Sequence, residues 1–147
     1  MKNHKSDSSE QQATEAYLIK TLAQDLGLTF DSEKWAELPS GVQPDAVDPE
    51  NKVVVEAYAR IGALKGGQLH KVKGDILKLM YIDEKLGGGW RKIMVFADAS
   101  AASYLLGKSW VAEAVRFFGI EVYVKELSKD QRDLVRAAQE RQKMVNS

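Results

Sequence analysis

The chain has 147 residues, 44% of them hydrophobic, which is enough apolar material for one core and hardly for two. Lys plus Arg and Asp plus Glu both number 21, which argues against a histone-like binder and leaves only locally clustered charge to attract nucleic acid. The absence of cysteine excludes disulfides, thiolate zinc sites and cysteine nucleophiles. Because no stretch has the apolar core of a signal peptide or the ~20 apolar residues of a membrane span, we expect a cytoplasmic protein with no membrane partner.

A tail, a helix and the start of a sheet are predicted in the N-terminal part of the chain. Residues 1–9 are polar and predict a disordered tail, so a single domain is placed over residues 10–147. Leucines recur at helical spacing before Gly27, which predicts a helix over residues 10–26. Two strands are then expected, a short one near residues 34–38 and another over residues 41–47.

Residues 53–61 alternate in a way that predicts a strand with two different faces. The odd-numbered side chains, among them Val55 and Ala57, are apolar and are expected on the core, beneath the helix that begins at Gln68. The even-numbered side chains include Glu56, Tyr58 and Arg60. One face of this strand would therefore pack on the core, and the other would carry the chemistry.

Helices and strands alternate through the second half of the chain, which is typical of an α/β fold. Three consecutive glycines, beginning at Gly87, end the first of these helices, and the apolar run that starts at Ile93 indicates a strand buried on both faces. Ser128 and Gln131 form the pattern of a capping box at the start of the last helix. The predicted elements are helices over residues 68–86, 101–118 with a bend at Gly107, and 128–144, and strands over residues 92–97 and 120–124.

Two short acidic motifs, Pro44-Asp45 and Glu56-Ala57-Tyr58, flank the turn Asp48-Pro49-Glu50-Asn51. Asp suits the first position of a type I turn and Pro the second. That turn places Asp45 opposite Val54 in an antiparallel pair, with Glu56 as its diagonal neighbour on the same face. Diagonal side chains lie about 7–8 Å apart, so the two carboxylates could hold a divalent metal ion between them.

These motifs, in a helix–hairpin–helix–strand order, resemble the PD-(D/E)XK nuclease superfamily, which has the restriction-endonuclease-like fold. The resemblance spans about residues 10–124 and implies an α/β fold with a mixed central sheet flanked by helices. In that superfamily the two acids bind Mg²⁺ or Mn²⁺, and a lysine two residues after the second acid positions or activates the attacking water. Asp45 and Glu56 match the acids, whereas Tyr58 stands where the lysine is expected.

The resemblance also implies further members of the site. A Glu on the first helix is often another metal ligand, which here implies Glu15, and Gln68 lies where some branches place a Gln at the start of a helix. Because the motif lysine is missing, its cation has to come from elsewhere, and Lys71 is the first choice since it shares a helix face with Gln68. The remaining candidates for this role are Lys65, in the loop before that helix, and Arg60.

The function implied by the resemblance is that of a magnesium-dependent DNA endonuclease. The missing lysine leaves a second interpretation open, a non-catalytic domain of the same fold that binds nucleic acid or protein. A third interpretation is a Rossmann-like ligand-binding domain that uses Asp98 at the end of the buried strand. Ordinary ion pairing on a solvated hairpin face explains the acidic motifs about equally well.

Two other patterns are open to two readings. The lysines at seven-residue spacing on the predicted helix suit a solvated face or a track for DNA phosphates: Lys71, Lys78 and Lys85. The aromatic residues of the following helix suit either the core or the surface of a homodimer: Trp110, Phe117 and Phe118.

Overall fold

The computed structural model describes residues 9–30, 38–39 and 41–146. Within those ranges the elements are α1 (Ser9–Leu26), β1 (Ala46–Asp48), β2 (Val53–Tyr58), α2 (Gly67–Lys85), β3 (Arg91–Phe96), α3 (Ala99–Leu106), α4 (Trp110–Phe117), β4 (Glu121–Val124) and α5 (Lys129–Asn146). The predicted tail and the strand expected near residues 34–38 fall outside the described residues, apart from Ser9, which begins α1, and Leu38, which is not in a strand.

A single mixed sheet holds the four described strands in the order β1-β2-β3-β4. β1 runs antiparallel to β2, while β2, β3 and β4 run parallel to one another. Parallel neighbours need long crossover connections, which are supplied by α2 between β2 and β3 and by α3 and α4 between β3 and β4. The predicted α/β fold with a mixed sheet between helices is therefore confirmed.

Helices cover both faces of this sheet, so every residue of β2 is buried. Side chains of α2, α3 and α4 form one core cluster with Val54 and Tyr58, and side chains of α1 and α5 form a second one with Val55 and Ala57. The prediction that Val55 and Ala57 lie beneath the helix at Gln68 is thus wrong, because that helix covers the opposite face. Parallel strands are usually covered on both sides by their crossover helices, and β2 belongs to the parallel part of the sheet.

The turn between β1 and β2 lies one residue later than predicted. The Lys52 amide donates to the carbonyl of Pro49 (3.3 Å), so the central residues of the turn are Glu50 and Asn51. Asp48 accounts for this position, because its carboxylate accepts bonds from the amide (3.2 Å) and the side chain (2.8 Å) of Asn51. The register changes accordingly: Val54 pairs with Val47 rather than with Asp45.

Most of the predicted elements after the hairpin are confirmed, and one is divided. The helix expected over residues 101–118 is broken at Gly107 into α3 and α4, and the Ser109 hydroxyl caps α4 by accepting the Ala112 amide (3.1 Å). The capping box of α5 is confirmed, since Ser128 and Gln131 each accept the other's amide through their side chains. No helix in the described ranges is long and apolar enough to cross a bilayer.

The aromatic residues of α4 lie on the surface of the chain rather than in its core. Trp110 is 73% exposed and Phe117 84%, and Phe118 packs edge-on against Phe117. The interpretation that these residues belong to the core is therefore wrong. Their role as a homodimer surface stays a prediction.

An ion pair joins the neighbouring strands β3 and β4 at their N-terminal ends. The Arg91 guanidinium donates two bonds to the Glu121 carboxylate (2.6 and 2.8 Å) and a third to the Tyr123 hydroxyl (3.0 Å). The Arg91 bonds lower the pKa of the Glu121 carboxyl, although partial burial opposes them. This bidentate geometry is the strongest form of a carboxylate–guanidinium contact.

Replacement of Glu121 by Gln should remove a stabilisation that depends on pH. Because the pKa of Glu121 is lower in the folded chain, the ion pair contributes above the unfolded value of about 4.3 and is lost as the pH falls through the folded value. We expect Glu121→Gln to lower the free energy of unfolding by about 1 kcal/mol or less at neutral pH, since the pair is partly exposed. Urea unfolding from neutral pH to about pH 3 should show the difference between wild type and variant shrinking. Glu113→Gln, on the exposed face of α4, is the matched control, and a difference independent of pH would contradict this account.

Candidate functional site

The hairpin brings the carboxylates of Asp45 and Glu56 together. Asp45 precedes β1, and its amide donates to Glu56 Oε1 (3.1 Å), while the Ala57 amide donates to Asp45 Oδ2 (2.8 Å). The two side chains thus continue the pairing of the strands beyond Ala46 and Val55. One further step in this register would put Asp45 directly opposite Glu56. The strand predicted over residues 41–47 begins only at Ala46, because Pro44 has no amide to donate and a side chain takes over at Asp45.

Glu56 lies beneath α2 and has no exposed surface. Its Oε2 accepts a bond from Lys78 Nζ (2.7 Å), and this ammonium group also lies 3.4 Å from Asp75 Oδ1. The expectation that this face of β2 is open to solvent is therefore wrong. A buried carboxylate is stable only when it is paired and hydrogen-bonded, and α2 supplies the pairing cation.

Tyr58 is part of the core and cannot replace a lysine. Its ring stacks on Phe96 (4.6 Å between centroids), and its hydroxyl donates to Asp75 Oδ2 (2.8 Å). Burial, followed by the negative charges of Asp75 and Glu56, raises the pKa of the Tyr58 phenol well above its ordinary value. The side chain therefore stays a neutral hydrogen-bond donor that holds Asp75 in place.

Lys71, the expected substitute for the motif lysine, lies on the outer side of the same cluster. Its Nζ is 3.1 Å from Asp75 Oδ2 and 5.4 Å from the centre of the Tyr58 ring, and its side chain is 57% exposed. We call the connected group Asp45, Glu56, Asp75, Lys78, Tyr58 and Lys71 the acidic network. Its three carboxylates face two ammonium groups, so its formal charge is negative.

Sequence reasoning missed Asp75 and did not connect Lys78 with Glu56. A signal for Asp75 was present, because the buried residues of α2 are spaced as one helix face: Val72, Asp75, Leu79 and Ile82. A charged residue on an otherwise apolar helix face indicates a buried polar contact. The partner of that contact lies on β2, and only the packing of α2 on the sheet identifies it.

A second feature lies at the C-terminal end of β2, between α1, α2 and α5. It is a cavity of about 270 Å³, which we call the strand-end cavity. It brings together most of the residues that were singled out from the sequence: Glu15, Tyr58, Arg60, Gln68 and Lys71. Ala57, whose amide holds Asp45, also lines it, so the cavity adjoins the acidic network. Lys65 is not among the lining residues; its amide donates to Gln68 Oε1 in the first turn of α2 (3.0 Å).

The donor chemistry of the acidic network fits Mg²⁺ in part. Mg²⁺ takes oxygen ligands and is often held by one or two carboxylates together with water, and Asp45 and Glu56 supply two adjacent carboxylates. Among the residues that the structure describes, no group of three or more Asp, Glu or His side chains could hold a metal. Glu15 is therefore not brought together with the other two acids, because α1 places it on the wall of the strand-end cavity.

Comparison of the chain with family models, with curated proteins and with solved structures finds no match.

Replacement of Tyr58 by Phe should destabilise the chain and change its response to alkali. The variant keeps the stack on Phe96 but leaves Asp75 without its phenol donor, which costs about 1–2 kcal/mol. Because the folded pKa of Tyr58 is raised, its contribution is complete below the unfolded value of about 10 and is lost as the pH rises toward the folded value.

Unfolding free energies measured from about pH 7 to pH 11 test this expectation. The wild type should lose stability more steeply than Tyr58→Phe above about pH 10. Tyr17→Phe, at a more exposed position on α1, should follow the wild type. Parallel pH curves for wild type and Tyr58→Phe would show that the phenol is not buried as described.

Proposed function

We propose that this chain is a metal-dependent DNA endonuclease in which α2 supplies the lysine that the motif lacks. The observation that carries the proposal is the 2.7 Å contact between Lys78 Nζ and Glu56 Oε2. A lysine two residues after Glu56 on the same strand would point to the same face as the acid. Lys78 reaches that face from the helix above it. Asp45, Glu56 and Lys78 then make up in space the acid–acid–lysine set that the sequence lacks in its linear order.

Each of these residues has a separate task in the proposed reaction. Asp45 and Glu56 would hold Mg²⁺ or Mn²⁺, which polarises the scissile phosphate and lowers the pKa of the attacking water. Lys78 places a positive charge beside the acids, where it stabilises the charge that develops on the phosphate oxygens. Asp75 lies 3.4 Å from Lys78 and is itself held by the Tyr58 hydroxyl, so it positions the lysine without touching the substrate.

Access to Glu56 requires a movement of Lys78. Glu56 is sealed from water, and the Lys78 side chain, which is 25% exposed, lies at the boundary between this acid and the surface. A long side chain at that boundary can rotate on a fast timescale without a change in the backbone. We therefore propose that the ammonium group leaves the carboxylate when metal and phosphate enter, and that it then contacts the phosphate.

DNA as the substrate suits a cytoplasmic location.

The alternative function is that of a non-catalytic nucleic-acid or protein interaction domain, and one observation favours it. Glu56 Oε1 accepts the Asp45 amide and Oε2 holds Lys78, so both oxygens already have partners, as in a purely structural buried ion pair. In that case the acidic network serves only to fix α2 on the sheet. The two functions differ in whether the wild-type chain cleaves DNA.

Cleavage of duplex, single-stranded and branched DNA in the presence of Mn²⁺ tests the proposal. We expect activity that a chelator abolishes, and we expect Lys78→Met to lower the rate constant by about 100-fold, the usual effect of removing one group that stabilises transition-state charge. Affinity for DNA should change little, because the group acts mainly in the transition state. Lys85→Met is the matched control, since Lys85 lies seven residues further along the same helix and is exposed.

Two further variants keep this test decisive if Lys78→Met folds poorly. Glu56→Gln preserves the shape of the side chain and its acceptor for the Asp45 amide, yet it should abolish cleavage. Lys71→Ala should weaken DNA binding more than it slows the reaction, because Lys71 contacts Asp75 rather than Glu56. Equal cleavage by wild type and Glu56→Gln would refute the endonuclease proposal. DNA binding by the wild type without cleavage of any substrate would establish the interaction domain instead.

A further inference from the structure

Arg60 has a buried hydrogen-bond donor that no described residue satisfies. The residue follows β2 and lines the strand-end cavity. Its Nε atom is buried, and none of the described residues accepts a bond from it. Buried donors are nearly always paired, so an orphaned one indicates a partner from outside the described part of the chain. The Nε and the adjacent Nη of a guanidinium form a planar fork that matches two oxygens of a phosphate. Because the Arg60 Nε has almost no exposed surface, the side chain must rotate into the cavity before a ligand can bond to it.

The other walls of the strand-end cavity provide a second cation and one anion. Lys71 extends from α2 into the lining, and its exposed ammonium group is restrained by Asp75. Glu15 contributes a carboxylate from α1. Lys71 is shared with the acidic network. Counted with the cavity, it gives two cations against one carboxylate and makes the cavity net positive, and it leaves three carboxylates against Lys78 in the network. This charge is opposite in sign to that of the adjoining acidic network, so an anion is favoured on one side and a cation on the other.

The size and walls of the cavity limit what can enter it. Its volume of about 270 Å³ lies just under the usual lower bound for small-molecule sites, about 300 Å³. Residues of α1, α2 and α5 line it on different sides. A space of this size accommodates a phosphate group with part of its sugar.

We propose that the strand-end cavity binds a phosphate monoester through Arg60 and Lys71. Such a group is found at the end of a nucleic-acid strand and on a free nucleotide. The inference deepens the proposed endonuclease function. It rests on that function only where it names the end of a nucleic-acid strand as the source of the phosphate.

Binding of a single-stranded oligonucleotide with and without a 5′-phosphate, followed by fluorescence anisotropy, tests the inference. The phosphate should raise the affinity of the wild type by about tenfold, the effect of one charge-assisted fork. Arg60→Met should lose this increase, and Arg136→Met, at an exposed position of α5, should keep it. Glu15→Gln should raise the affinity for the phosphorylated strand several-fold. This change in the opposite direction cannot result from misfolding.

Further measurements identify the source of the phosphate and distinguish a failure of this inference from a failure of the endonuclease proposal. Inorganic phosphate should compete with the phosphorylated strand; if it binds in an Arg60-dependent way while the strand gains nothing from its 5′-phosphate, the ligand is a free phosphate compound. Glu56→Gln should leave the 5′-phosphate effect unchanged, so a failure of the endonuclease proposal is distinguishable from a failure of this one. The inference is overturned if no phosphate monoester binds, or if Arg60→Met binds it as tightly as the wild type.

Discussion

The burial of the Glu56 carboxylate in the middle of β2 is the constraint on which this part of the molecule depends. An ionised carboxylate without access to water costs several kcal/mol unless charges and donors surround it. Here the Asp45 amide comes from the segment before β1 and the Lys78 ammonium group comes from α2. One side chain thus ties together three pieces of the chain. The contact between Lys78 and Glu56 is one of the interactions that join α2 to β2, beside the apolar packing of Val72 and Leu79.

Aromatic packing extends this constraint to the neighbouring strand. Phe96 of β3 stacks on Tyr58, the Tyr58 hydroxyl holds Asp75, and Asp75 lies between the two lysines of the acidic network. A polar network inside a core is stable only when its members satisfy one another, and each of these contacts joins a donor to an acceptor. The position of Lys78 therefore depends on β3 as well as on its own helix.

The acidic network and the strand-end cavity form adjoining regions of opposite charge. Tyr58 and Lys71 belong to both, and the Ala57 amide joins Asp45 to the cavity wall. An anionic group would be held at Arg60 and a cation at the carboxylates, which is the arrangement that phosphate chemistry with a divalent ion requires. The two regions adjoin because Arg60 lies two residues after the C-terminal end of β2, in the parallel part of the sheet. Loops at that end of parallel strands are where α/β folds commonly bind ligands.

The sequence by itself determined the elements, while the tertiary structure decided which side chains meet. Periodicity identified α1 and α2, the Ser128 capping box identified α5, and glycines marked helix ends, because these signals depend only on neighbouring residues. The hairpin register depended on the side chain of Asp48, which moved the turn by one residue. The burial of Glu56 could not be predicted from the alternation of apolar and polar residues along β2. The same alternation occurs when the second face is solvated and when a helix covers it. Lys78 lies 22 residues from Glu56, and only the packing of α2 on the sheet brings them within 2.7 Å.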